Sequence, residues 1–215
     1  MAIAFDATNE ATSSSASSLT YALTIASGGS LVVGTGSRDN FTGTQTVTYN
    51  GTSLTEYTGS GDTSRLFYLA SPDTGSSYNV VVTFNGTGAC SSIAVSLTGC
   101  DTSDLVGATQ TASGGDANPT ENITTDTDES WVVDIVTLGY TNASLTPGSG
   151  QTQRGSDLSP GANHTIGMST EYKATAGVVT MSWSTPTQSW GVAAIEIHAA
   201  GGAPPATFVP KITIF

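Results

Sequence analysis

Basic residues are scarce in this chain of 215 residues: 5 Lys and Arg stand against 17 Asp and Glu, for a net charge of -12. A surface this acidic repels phosphate backbones, which excludes nucleic acid as a natural partner. Charge of either sign is scarce too, at 10% of residues, so solubility falls to Ser, Thr, Asn and Gly. That balance is common in exterior β-proteins and unusual in a cytosolic enzyme. The acids are scattered, which reads as a solvated surface. No apolar run approaches the roughly 18 residues of a membrane span, so membrane insertion is not expected. The opening MAIAFDATNEA has neither the basic n-region nor the apolar h-region of an export signal, because Asp6 and Glu10 interrupt it. Two routes to the exterior fit: a signal already removed, or release without export, as in a particle freed by lysis.

Thiols and imidazoles are equally few. Cys90 and Cys100 bracket CSSIAVSLTGC, whose Ile93, Val95 and Leu97 alternate with smaller residues as in a strand. Ten extended steps cover about 33 Å, against the roughly 7 Å between Cα atoms that a disulfide requires. The pair should stay unbridged and buried unless the segment folds back. The histidines are His164 and His198, and no GxSxG elbow accompanies them. His198 follows an expected strand and reads as solvated. His164, in PGANHT, is either a ligand contact or a plain surface histidine.

Metal motifs of the CxxC or HExxH kind are missing. Asp126, Asp128 and Glu129 in TDTDES are candidates for calcium, against the alternative of an acidic turn; the glycine and downstream glutamate of an EF-hand loop are lacking. No carboxylate pair can be nominated for glycoside cleavage, and GTGSRD and GSGDTS lack the lysine of a phosphate loop. The expectation is a non-enzymatic protein without a cofactor, calcium being the one candidate.

What the chain does have is period-two alternation. Leu19, Tyr21, Leu23 and Ile25 share a face, as do Val80, Val82 and Phe84, and Val179, Met181 and Trp183. Gly28-Gly29, Asn50-Gly51, Asp73-Thr74-Gly75, Asn85-Gly86 and Pro147-Gly148 supply turns. No window has helical periodicity. The pattern predicts an all-β, antiparallel, two-sheet sandwich of jelly-roll type. Its inward residues should include Leu23, Ile25, Val82, Phe84, Val95, Leu97, Ile135, Met181, Trp183 and Ile195. Among the aromatics, Trp131 and Trp183 follow inward alternation. Tyr49, Tyr57, Tyr140, Tyr172 and Trp190 are candidates for a sugar-stacking platform, led by Trp190, with core packing as its alternative. Sequons at Asn40, Asn50, Asn85, Asn122, Asn142 and Asn163 are compatible with glycosylation in an exporting cell.

The halves resemble each other. GGSLVV, ending at Val33, parallels DESWVV, ending at Val133; NVVVTFNG parallels VVTMSWST; IAVSL parallels AAIEI. Offsets of about 99 to 100 residues predict one sandwich over 1–200, built from repeats of about 1–106 and 107–200 that complete a single core. Two separate domains are the alternative. After His198 a Gly/Pro linker, AAGGAPPAT, leads into TFVPKITIF. Phe208, Val209, Ile212, Ile214 and Phe215 are too apolar to leave in water. Pro210 restricts the segment to a sheet edge, and Lys211 could meet an acidic neighbour. Residues 201–215 are therefore an edge strand for the chain's own sandwich or an anchor to a neighbouring subunit.

The blocks IAFDAT, SLTYALTIASGGSLVVG, VTYNGTSLT, LFYLASPDTGSSYNVVVTFNG, IAVSLTG, GSGQTQR and VVTMSWSTPTQSWGVAAIEI resemble, in order, an uncharacterised β-sandwich family of tailed-phage virion proteins and environmental bacterial surface proteins. The likeness covers about residues 2–199 and carries no catalytic residues; Cys100 stands where the family tends to have an aliphatic residue, which fits a buried thiol. The resemblance implies a virion decoration, fibre or tail accessory protein: a homo-oligomer partnered by other virion subunits. The alternatives are a glycan-binding adhesive module of a cell surface, or a subunit of an extracellular filament joined by strand addition.

Overall fold

The computed structural model describes residues 1–37, 44–57, 64–139, 143–159 and 164–201. Segment 202–215 lies outside them, and with it Phe208, Val209, Pro210, Lys211, Ile212, Ile214 and Phe215; so does Tyr140. Strands alone make up the regular structure of the described residues. In the first half they are β1 (Ala4–Thr24), β2 (Gly29–Ser37), β3 (Thr46–Tyr49), β4 (Thr52–Ser53), β5 (Thr55–Tyr57), β6 (Ser64–Leu69) and β7 (Ser77–Thr98). In the second they are β8 (Val106–Gly114), β9 (Thr120–Thr124), β10 (Ser130–Gly139), β11 (Thr146–Pro147), β12 (Thr152–Ser159), β13 (His164–Lys173), β14 (Val178–Ser184) and β15 (Trp190–Ile197). All pair antiparallel. The all-β antiparallel class read from the alternation is the class the chain adopts.

The layers are more elaborate than a pair of sheets. β1 and β7 are long strands that pair along their length, with register breaks between Phe5 and Ala7 and between Ser13 and Ser18. Such bulges bend and twist a strand. On one side of the bend β7 continues into β2, β6 and β5; on the other it continues into β3 and β4. The second half repeats this plan in separate sheets: β8-β15-β10-β13-β12 corresponds to the first arm, and β9-β14-β11 to the second.

Each half encloses its own apolar layer. In the first, Leu19, Tyr21, Leu23, Val47, Val80, Val82 and Phe84 pack on Leu31, Val33 and Phe67. In the second, Ile123, Val179, Met181 and Trp183 pack on Val132, Val136, Ala194 and Val192. A third layer joins the halves: Val32, Leu66, Ile93, Val95 and Leu97 meet Val133, Ile135, Ile166, Met168, Ile195 and Ile197. The single core expected for the two repeats is thus three layers, one of them shared. Every residue of the expected inward set is buried.

The strand pairings also correct one register. Val32 lies in the shared layer with Val133, whereas Val33 faces the first half's own layer. Val33 and Asp134 occupy equivalent places, opposite Ala94 and Ala194. The GGSLVV and DESWVV blocks therefore align one residue further along than their endings suggest. A one-residue slip exchanges the faces of a strand, and β2 is buried throughout, so its hydrophobic pattern could not fix the choice.

Glycine sets the separation of the halves. A Cβ at Gly34 would lie 2.7 Å from both Ile135 Cδ1 and Met168 Cε, and one at Gly36 would lie 2.6 Å from Ile166 Cγ2 and Thr137 Oγ1. Arg154 adds a polar clasp at the rim: its guanidinium lies 4.5 Å from the Phe5 ring centre and 5.4 Å from that of Trp131, and its Nε donates to Thr170 Oγ1 at 2.8 Å. Trp131 is thereby half-buried at the edge of the shared layer rather than within it.

Cys90 and Cys100 are both buried and unbridged, in the first half's layer and the shared layer respectively. Burial pushes each thiol up to about 11, which suppresses the reactive thiolate. Both should resist alkylation in the native protein and react fully after denaturation, with no crosslinked peptide under non-reducing conditions. Gly34→Val should lower stability by about 1–3 kcal/mol through overpacking, although valine is the better strand former. Denaturant unfolding of the pair of proteins measures this; an unchanged midpoint would mean that the halves do not depend on close approach.

Candidate functional site

Three polar residues converge where β15 ends. Glu196 and His198 lie on or just beyond β15, and Asp126 is in the turn between β9 and β10. One ligand atom from each lies within 4.8 Å of the others. His198 is buried, with Nδ1 2.9 Å from the Asp104 carbonyl oxygen and Nε2 3.0 Å from Asp126 Oδ1. Both ring nitrogens thus lie at hydrogen-bond distance from an oxygen, which fixes the ring between the 104–105 segment and the β9–β10 turn. The expectation of a solvated His198 is corrected: β15 is flanked by β8 and β10, and its end is covered by the 104–105 segment.

Glu196 explains the local architecture. Its carboxylate accepts from the backbone N–H of Ala108 at 3.0 Å, of Asp126 at 3.0 Å and of Thr127 at 3.1 Å, and from Thr127 Oγ1 at 3.0 Å. Burial raises this carboxyl, but the donors outweigh it and hold Glu196 below the usual glutamate range. Gly107 makes room: a Cβ there would collide with His198 Nε2 and come within 2.7 Å of Glu196 Oε2 and 2.9 Å of Asp126 Oδ1. The first half solves the same problem differently. Asp6 Oδ2 accepts from Ala26 N–H at 2.9 Å and from Ser96 Oγ at 2.7 Å, and Ser96 is the counterpart of Glu196. In each half a carboxylate ties the turn before the central strand to that strand's neighbours.

A nitrogen-and-oxygen donor set of this kind suits a transition ion better than calcium, which takes 6–8 oxygens. The internal hydrogen bonds already occupy the Glu196 oxygens, so the cluster is complete as a structural tie. The acids of TDTDES are not brought together. Asp126 faces His198, Asp128 Oδ1 accepts from Ala176 N–H at 2.8 Å, and Glu129 sits at φ 59° with its N–H donating to Ala174. Asp126, Asp128 and Glu129 therefore do not form the expected common site.

The other sequence candidates are redistributed. His164 is fully buried as the first residue of β13, opposite Gly139 and Ser159, and so is neither a loop ligand nor a surface histidine. Trp190 opens β15, lies against Gly114 and donates from Nε1 to Asp116 Oδ1 at 3.1 Å. It is half-buried against Val192 and Trp183, closer to core packing than to a free platform. Tyr49 is fully buried, its hydroxyl bonded to the Leu23 carbonyl at 3.0 Å.

A second polar group went unnoticed in the sequence. Asp134 is fully buried in the middle of β10, where Ser169 N–H and Oγ donate to Oδ1 at 3.0 and 2.6 Å and Trp183 Nε1 donates to Oδ2 at 2.7 Å. Glu121 is 4% exposed on β9, and neither carboxyl oxygen has a hydrogen-bond partner. The strand pairings place Glu121 where the first half has Leu19, Asp134 where it has Val33, and Trp183 where it has Phe84. The acid within the apolar run WVVDIV was the available signal. Desolvation, then repulsion from Asp134, pushes Glu121 up to about 9; desolvation pushes Asp134 up to about 7 despite its donors.

Family models, curated proteins and solved structures yield no match to this chain.

Both raised carboxyls bind a proton more tightly folded than unfolded. Their contribution is therefore fully present below about pH 4, near the unfolded values, and is lost as pH rises through about 7 for Asp134 and about 9 for Glu121. Stability should fall from pH 5 to pH 9. Glu121→Gln keeps the shape and cannot ionise, so it should flatten that fall and be more stable than the parent at pH 8, with little difference between the two at pH 4. Melting curves across this range check it; a variant as pH-sensitive as the parent would refute the assignment.

Proposed function

We propose that this chain is a structural, non-enzymatic protein of an exterior assembly, of the virion type, which joins its neighbours through residues 201–215. The observation that carries this reading is what the interior and turn polar groups do. Glu196 and Asp6 tie turns to strands, His198 clasps Asp104 and Asp126, and Asp134 is held by Ser169 and Trp183. Among the described residues, these groups fasten layers together instead of converging on an open cleft. Three stacked apolar layers make a stiff spacer, which suits a decoration, fibre or tail accessory role. The resemblance to virion proteins points the same way, and homo-oligomerisation with other virion subunits as partners follows from it.

One observation favours the alternative of a glycan-binding surface module. A surface cleft of about 400 Å³ is lined by Thr48, Asn50, Gly51, Ser77, Tyr78, Asn79 and Val81. Hydroxyls, amides and one aromatic ring without charge suit a neutral sugar.

Deletion of residues 203–215 tests the assembly reading. The described strands end at Ile197, so the truncated chain should keep its melting temperature and far-ultraviolet spectrum. It should fail to enter particles that incorporate the full chain. Normal incorporation would overturn the anchoring role, and unfolding would place the segment in the chain's own core.

A further inference from the structure

An outer strand offers a row of unpaired N–H and C=O groups, and natural sheets blunt that row with charge, proline, bulges or brevity. The outer strands among the described residues follow the rule with one departure. β4 has 2 residues, and β5 has 3 and carries Glu56. β11 contains Pro147, β9 points Glu121 inward, and β12 has Arg154 with a bulge between Gln153 and Gly155. β1 has Asp6, Glu10 and several register breaks. β8, VGATQTASG, has 9 residues, no charge and no proline, and among the described residues pairs only with β15. Its irregularity is confined to its start, opposite Ile195 and Ile197, which leaves Thr109–Gly114 in regular register. The side chains beyond the start are Ala, Thr, Gln and Ser, partly or wholly exposed.

We infer that the free edge of β8 is the acceptor for residues 207–215 of a second copy of this chain, added as an antiparallel strand. The inference rests on the assembly reading above and names its acceptor. TFVPKITIF matches β8 in length, at 9 residues. On an added strand alternate residues bond inward, so Val209, Lys211, Thr213 and Phe215 can pair with β8 while Pro210, which has no N–H, falls in the outward set. Direction selects a second copy. β15 leaves the sheet beside the start of β8, where Ile197 pairs with Val106 and His198 N–H donates to the Leu105 carbonyl at 2.9 Å. A segment turning back from Gly201 would run alongside β8 in the same direction. Pairing within one chain would then be parallel, which is weaker per residue, across a connection of six residues, 201–206. A neighbour can approach in the antiparallel sense.

The test uses the full chain and its Gln110→Lys variant, which puts a charge at an exposed position in the middle of the acceptor. Sedimentation velocity over a concentration series should show association by the parent. The variant should keep the parent's melting temperature and associate at least tenfold more weakly. The synthetic peptide TFVPKITIF in excess should return the parent to monomer, and β8 amides should gain exchange protection as concentration rises. A variant that associates like the parent, with β8 amides still exchanging, would overturn the acceptor while leaving assembly intact. β8 amides protected equally in dilute monomer would place the segment on its own chain. A parent that stays monomeric to millimolar concentration and is absent from purified particles would overturn the assembly reading and the acceptor together.

Discussion

The close face-to-face approach of the two five-stranded faces governs the rest of this structure. A sheet with one apolar face must bury it, and here each half has a central sheet that is apolar on both faces. One face is covered by the half's own outer strands; the other needs the opposite half. Val32, Val95 and Leu97 from one side and Val133, Ile135 and Ile195 from the other form that shared layer. Neither half could leave such a face in water, so the repeats are obliged to stay together. Gly34 and Gly36 bring the backbones near enough for branched side chains to interlock, at the cost of two positions that might have carried strand-favouring residues.

Comparison between the halves separates what the fold requires from what it merely accommodates. A carboxylate near the turn before the central strand recurs, supplied by Asp6 in one half and Glu196 in the other. Its recurrence from different strands marks a requirement: amides of the turn that no strand partner meets need an acceptor. The Glu121–Asp134–Trp183 group has no such counterpart, since Leu19, Val33 and Phe84 fill the same places with apolar atoms. The fold manages without it in the first half, and in the second it is maintained against a desolvation cost.

How much could be read from sequence follows from how alternation works. Where one face is buried and the other wet, as in β14 with Val179, Met181 and Trp183 inward, the pattern names the core without ambiguity. Where both faces are buried the pattern says only that a strand is present, and the assignment of Val32 and Val33 to faces was lost for that reason. The histidines were misplaced because position relative to an expected strand end is a poor guide to cover. His164 and His198 both lie at strand termini, yet neighbouring strands and the 104–105 segment close over them. Asp126 of the acidic turn meets Glu196 and His198 instead of Asp128 and Glu129, and these partners are about 70 residues away in sequence, joined through pairing that no local motif announces. The lone acid in WVVDIV was a legible sign of a buried polar group; its partners Ser169 and Trp183 were not legible from spacing.

Charge is the scarce resource that connects these features. With 5 bases and 17 acids, the chain places several of its ionisable groups inside: Glu196, Asp134 and Glu121 lie in the interior, while Arg154 packs on Phe5 and Trp131 at the rim. Exposed charges that would normally discourage edge-to-edge pairing are correspondingly thin, and β8 receives none. A protein that circulates alone at high concentration would face strong selection against such an edge. A protein whose edge is met by a defined partner strand would not, and the same low-charge composition that first suggested an exterior protein then becomes compatible with a specific contact instead of indiscriminate aggregation.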